Sequence, residues 1–127
     1  MDGAVRKILM VDDDADIRRI GHVSLAKVGK WEVALASSGT EAIDMALREQ
    51  PDLILLDVMM PGLDGPSTLT KLKADPDTAG IPVIFMTAKV LTEEVEQYMA
   101  LGAQGVVMKP FDPMTLPDQI RRILNSK

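Results

Sequence analysis

Five short apolar runs, at 7–11, 31–36, 53–57, 83–86 and 106–108, recur along the chain, each of strand length. Within three of them, ILMV, LILL and VIFM, the apolar residues are continuous rather than alternating. That is the pattern of strands buried on both faces of a parallel sheet. The intervening segments have helical spacing. The first carries Ile17, Ile20, Leu25 and Val28, and the second Ala42, Ile43, Ala46 and Leu47; both stripes are expected to face a core. Ser38 followed by Glu41 has capping-box spacing, which predicts two reciprocal side-chain bonds to free backbone N–H groups at the second helix start.

A third helix is expected after Asp64, with Pro66 in its first turn and Leu69 and Leu72 inward. The fourth is expected over 91–101, where Glu93 and Glu94 suit the positive helix end and Gly102 supplies a left-handed stop. Pro117 cannot donate to the carbonyl four residues back, so the fifth helix should start near Thr115 and carry Ile120, Ile123 and Leu124. Strand and helix alternating five times predict an α/β fold, (βα)5, with a doubly wound five-stranded parallel sheet and right-handed crossovers. No linker, repeat or low-complexity tract is evident, so 1–127 reads as one domain with a core of about 7–124.

Composition narrows the chemistry. With 46% hydrophobic and 26% charged residues the chain is an ordinary globular sequence, not a disordered one. The absence of cysteine excludes disulfides, thiolate catalysis and cysteine-ligated metals, and favours the cytoplasm. No apolar run reaches the roughly 18 residues of a membrane span, and the Met1-Asp2-Gly3 start lacks a basic-then-apolar leader, so no membrane partner is expected. A net charge of −5 repels phosphate backbones and argues against direct nucleic-acid binding.

The candidate chemistry lies where strands end. Asp12, Asp13 and Asp14 follow the first run, Asp57 ends the third, Thr87 follows the fourth and Lys109 the fifth. In an open parallel sheet these ends share one edge, where ligands bind at the reversal of strand order. Two like charges about 4 Å apart repel by roughly 4 kcal/mol at an effective dielectric of about 20. Such a cluster therefore calls for a cation; oxygen donors without cysteine or nearby histidine point to a hard ion, and few carboxylates plus waters suit Mg²⁺ better than Ca²⁺, for which no EF-hand spacing is present. Asp14 is better read as a helix N-cap. His22 reads as a surface or groove residue, and the methionines and Trp31 as core filling.

On these residues the chain resembles a response-regulator receiver domain from about 7 to 124. The likeness is carried by VDDDADIRR after the first run, LILLDVMMPGLDG around the third, PVIFMTA at the fourth and GVVMKPFDP at the fifth. The resemblance implies a flavodoxin-like strand order 2-1-3-4-5 and a phospho-acceptor at Asp57. It implies Mg²⁺ ligated by Asp13, Asp57 and the Met59 carbonyl, with Asp12 acting mainly through water. It assigns Lys109 to the phosphoryl oxygens, and to Thr87 a hydroxyl drawn to the phosphoryl group, so that the loop after the fourth strand moves. Pro110 would follow a cis peptide from Lys109.

The implied phosphoryl donor is a phosphohistidine on a sensor histidine kinase or a histidine phosphotransfer protein, and the recipient of the signal is a protein target. The domain would catalyse only its own phosphorylation and dephosphorylation. Its output would use the face of the fourth helix, fifth strand and fifth helix, expected to expose Tyr98 and Arg122, with a monomer at rest and a dimer when phosphorylated. Met59 and Lys89 hold positions that in this family tune attack by water. One departure stands out: Val106 occupies the place of a switching aromatic, and valine has one stiff torsion and little reach.

Three other readings compete with this one. An aspartate-nucleophile phosphatase would use Asp12 in Asp12-x-Asp14, but Asp16 stands where a threonine or valine belongs and no cap domain fits. A flavin carrier of the same strand order would need a phosphate cradle where three aspartates lie. A binding module that has lost phosphorylation would ignore Mg²⁺ and a phosphoryl mimic. The end at Lys127 suits both a stand-alone regulator and a domain of a longer protein.

Overall fold

The computed structural model describes residues 5–89 and 91–125. The Met1-Asp2-Gly3 start lies outside the described residues. Strands β1 (Lys7–Val11), β2 (Glu32–Ala36), β3 (Leu53–Asp57), β4 (Val83–Thr87) and β5 (Gly105–Met108) alternate with helices α1 (Ala15–Val23), α2 (Gly39–Glu49), α3 (Gly65–Ala74), α4 (Thr92–Ala100) and α5 (Leu116–Leu124). All strand pairs are parallel, in the order β2-β1-β3-β4-β5. This is the doubly wound, flavodoxin-like α/β sheet expected from the sequence.

The continuous apolar runs are buried on both faces, as the period-2 geometry of a strand requires. Leu9, Val11, Ile54, Leu56, Val83 and Phe85 face one core with Ala42, Ala46, Leu69, Leu72 and Tyr98 from α2, α3 and α4. Ile8, Met10, Leu53, Leu55, Ile84, Met86 and Val107 face the other with Leu25, Trp31, Leu116 and Ile120. Every residue of β3 and β4 is buried, which fixes the central strands and holds their C-terminal ends level. Edge strand β2 starts at Glu32, one residue later than expected.

Two helical stripes differ from expectation. Ile20 is 43% exposed, whereas Ile17 packs on the core and Gly21 is the buried residue of α1. Gly21 packs on Met10 so closely that a Cβ there would lie 2.1 Å from the methionine sulfur. Ile20, about 100° round the helix from Gly21, is thereby turned outward. Beyond Val23 the helix widens into a π-helical turn, Ser24–Val28, in which Gly29 N–H donates to the Ser24 carbonyl and Ser24 and Leu25 are both buried. On α2, Ala42 and Ala46 make the contact and Leu47 is left 38% exposed.

The α2 cap also differs in detail. Glu41 N–H donates to Ser38 Oγ at 3.1 Å, but the Glu41 carboxylate accepts from Ser37 N–H and Ser37 Oγ rather than from Ser38. At α3, Asp64 caps Ser67 N–H at 2.8 Å with Pro66 in the first turn. Gly102 closes the end of α4 with φ of +112°, where a Cβ would be strained. Tyr98 is buried rather than exposed. Its ring packs on Phe85 with centroids 5.0 Å apart, because α4 turns that face onto the sheet. Arg122 is exposed.

Candidate functional site

The parallel register carries the strand ends to one edge. Val11 pairs with Leu56, Asp57 with Met86, and Thr87 with Met108, so Asp12, Asp57, Thr87 and Lys109 follow one another across the sheet. Asp12 is fully buried; its Oδ1 accepts from Asp14 N–H at 2.9 Å, its Oδ2 accepts from Lys109 Nζ at 2.9 Å, and its carbonyl accepts from Arg18 at 2.7 Å. Asp57 is 3% exposed, lies 3.3 Å from Lys109 Nζ, and accepts weakly from Met59 N–H at 3.4 Å. Asp13 is exposed, yet carboxylate oxygens of Asp12, Asp13 and Asp57 lie within 4.8 Å of one another. Asp14 stands apart from this group, capping Asp16 and Ile17 N–H.

Electrostatics follow from that crowding. Burial, reinforced by the charge of Asp12, pushes the Asp57 carboxyl up from an ordinary 3.8 to about 6, against the opposing pull of Lys109. Burial works against the Lys109 ammonium, but its hydrogen bond to Asp12 and the charges of Asp12 and Asp57 outweigh this and hold its pKa above the usual lysine value. One ammonium thus serves two buried carboxylates, and a third lies at the rim. The donor set is oxygen only, so the three carboxylates fit a hard cation and can hold a metal ion.

Thr87 is 4% exposed at the end of β4; its Oγ1 accepts from Lys89 N–H at 3.1 Å, and its carbonyl accepts from Lys109 N–H at 2.8 Å. The Lys109–Pro110 peptide bond is cis. Met59 presents its side chain to solvent. Val106, half-buried, pairs with Phe85 and packs against the same core as Tyr98. His22 is exposed on α1, beside Arg18, Arg19 and Val23.

Three features were not legible in the sequence. Gly65 lies against the backbone of Asp57: a Cβ there would be 2.4 Å from the Asp57 carbonyl and 2.7 Å from Val58 Cα. The Asp-Gly-Pro at the α3 start marks a turn but not this contact. Arg18 reaches back six residues to the Asp12 carbonyl, a bond without a periodic signal. Beside the acidic edge lies a cavity of about 280 Å³ lined by Val58 and Met59 after β3, Thr87, Ala88 and Lys89 after β4, and Glu94 and Tyr98 of α4.

Fold and site together define a parallel α/β domain whose carboxylate cluster and lysine meet at the C-terminal edge of the sheet. The chain belongs to the family of response regulator receiver domains, whose family model matches residues 8–121. It is therefore a signalling module rather than an enzyme with a separate substrate. It is 39% identical over 118 residues to the "Probable transcriptional regulator ycf27" of Guillardia theta, covering 93% of this chain and 45% of that protein. It is 36% identical over 121 residues to the "DNA-binding response regulator MtrA" of Mycobacterium bovis, covering 95% and 51%. The chain thus spans about half the length of these curated relatives. Among solved structures, the chemotaxis protein CheY4 of Vibrio cholerae superposes with a TM-score of 0.87 at 32% identity, over 94% of this chain and 99% of that one. Among the described residues no helix is long and apolar enough to cross a membrane.

Proposed function

We propose that Asp57 takes a phosphoryl group from a phosphohistidine on a sensor histidine kinase or histidine phosphotransfer protein. The observation that carries this reading is the convergence of Asp12, Asp13 and Asp57 with Lys109 at one buried edge. An Asp57 oxygen attacks phosphorus, the P–N bond breaks, and the imidazole leaves. Later attack by water releases inorganic phosphate and restores the carboxylate. Phosphoryl transfer depends on positioning and charge neutralisation, and Lys109 stands where it can neutralise a nonbridging oxygen.

Asp13, Asp57 and the Met59 carbonyl would hold Mg²⁺, with Asp12 acting through water. When bound, the ion supplies positive charge to the acceptor and the transferring group. Asp57 must be ionised to attack; burial and Asp12 disfavour that form, while Lys109 and a cation favour it. Thr87 would give its hydroxyl to a phosphoryl oxygen, moving the loop after β4 and, through it, the α4–β5–α5 face that meets a protein target. Val106, too short to act as a flipping aromatic, leaves that output to other residues.

The same reading takes 1–127 as a single receiver unit working in the cytoplasm, monomeric at rest and dimeric when phosphorylated. It gives the domain no direct nucleic-acid or membrane contact. Any DNA recognition of the kind the relatives' names state would belong to sequence outside this chain.

Incubation with Mg²⁺ and acetyl phosphate should add one acid-stable, base-labile phosphoryl mass to the wild type and none to Asp57→Asn or Asp57→Ala. Equal labelling of all three proteins would refute the assignment of Asp57.

A further inference from the structure

The 280 Å³ cavity beside Thr87 is lined by Met59 and Thr87 of the site and, from α4, by Glu94 and Tyr98, which the transfer chemistry does not use. Tyr98 is 8% exposed, and its ring lies on Phe85 at 5.0 Å with the planes 58° apart. Glu94, one turn earlier on α4, has a buried Oε1 with no hydrogen-bond partner among the described residues. A buried acceptor left unmade is destabilising, and an unfilled void forfeits packing. Glu94 lines that same cavity, together with the segment that carries Thr87.

That segment is tied to the threonine side chain, since Lys89 N–H donates to Thr87 Oγ1 at 3.1 Å. A hydroxyl that turns toward Asp57 pulls on this bond, and one wall of the cavity moves. On the neighbouring strand the residue at the register of Phe85 is Val106, which is too small to follow. Tyr98 is the large buried side chain that lines the same cavity. Burial, with the charges of Glu94 and Asp64, also holds its phenol above the usual pKa, in keeping with a hydroxyl close to Glu94.

We propose that Tyr98, with Glu94 one turn before it, couples the position of Thr87 to α4: when Thr87 moves toward a phosphoryl group on Asp57, the Tyr98 ring shifts on Phe85 and α4 shifts with it. Packed interfaces of this kind respond between discrete arrangements, which is how a small displacement of a hydroxyl is transmitted to a helix. This inference rests on the receiver reading above and adds the residues through which the signal leaves the site.

Tyr98 is the only tyrosine in the chain, so fluorotyrosine labelling yields a single ¹⁹F resonance for it. Mg²⁺ and beryllofluoride serve as the phosphoryl mimic, and the bound fluorides report occupancy separately. In the wild type the Tyr98 resonance should move by more than its linewidth on saturation. In Thr87→Ala, with beryllofluoride raised until the bound fluorides report full occupancy, it should stay in place, and Thr87→Ser should restore the movement. An unmoved resonance in the occupied wild type overturns the coupling. So does a movement that persists in Thr87→Ala, since it would come from the added charge alone. If no beryllofluoride binds, the receiver reading itself fails and this inference falls with it.

Discussion

Asp57 is held in opposition to its own charge. Because its folded carboxyl titrates near 6 instead of 3.8, its contribution to stability is greatest when it is protonated. It is lost as pH rises through the interval between those values, and above about pH 6 the metal-free fold carries an ionised, crowded carboxylate. Asp57→Asn should therefore raise the stability of metal-free protein at pH 7 by ~2–3 kcal/mol, with little difference at pH 4. Urea denaturation at the two pH values in chelator measures this, and equal midpoints for the two proteins at pH 7 would contradict it. Asp13 behaves differently because it is exposed. Asp13→Asn should leave metal-free stability within about 0.5 kcal/mol while removing most of the stabilisation that Mg²⁺ confers.

Elements position these residues through contacts between small groups. Helix α3 starts tight beneath β3, and only a glycine at position 65 lets its first turn approach the Asp57 carbonyl. Gly65→Ala must displace backbone rather than a flexible side-chain end. It should cost about 1–3 kcal/mol and slow phosphoryl uptake at Asp57, both measurable on the same purified protein. Normal labelling kinetics in that variant would show that Asp57 tolerates the displacement. The cap of α2 offers a comparison remote from the chemistry: Ser38→Ala should cost about 1 kcal/mol by thermal or chemical denaturation and leave labelling unchanged. The α1 contact teaches the same lesson as Gly65. Apolar periodicity placed Ile17, Ala42, Ile43 and Ala46 on the core side, where they do pack, but put Ile20 and Leu47 there too and passed over Gly21, whose lack of a side chain lets α1 approach Met10.

At the scale of the whole molecule, two long-range terms act in opposite directions. The net charge of −5 repels polyanions, so this chain should fail to retard duplex DNA in a gel assay even at low salt. The same excess of acid, concentrated at one sheet edge, should draw divalent cations: at a hundredfold excess over its dissociation constant, Mg²⁺ should stabilise the fold by about 2.7 kcal/mol, read as a rise in Tm. A Tm that ignores Mg²⁺ would leave the acidic edge without its counter-charge and speak against the proposed site.

The fold was largely legible in the chain itself. Continuous apolar runs can be satisfied only between two layers of helices, and parallel strands need crossovers, so ILMV, LILL and VIFM with helical segments between them already imply the sheet and the edge at which Asp12, Asp57, Thr87 and Lys109 end. Local chemistry was legible too, in the Asp14 cap, the helix start after Asp64 and the stop at Gly102. What tertiary structure alone decided are contacts between positions with no periodic relation. Lys109 meets Asp12 across 97 residues, Gly65 is pressed against Asp57, and Tyr98 lies on Phe85 instead of in solvent. A hydropathy pattern records which face of an element is apolar. The distance between two faces, and the side chain that fills or leaves empty the space between them, exist only once the layers have packed.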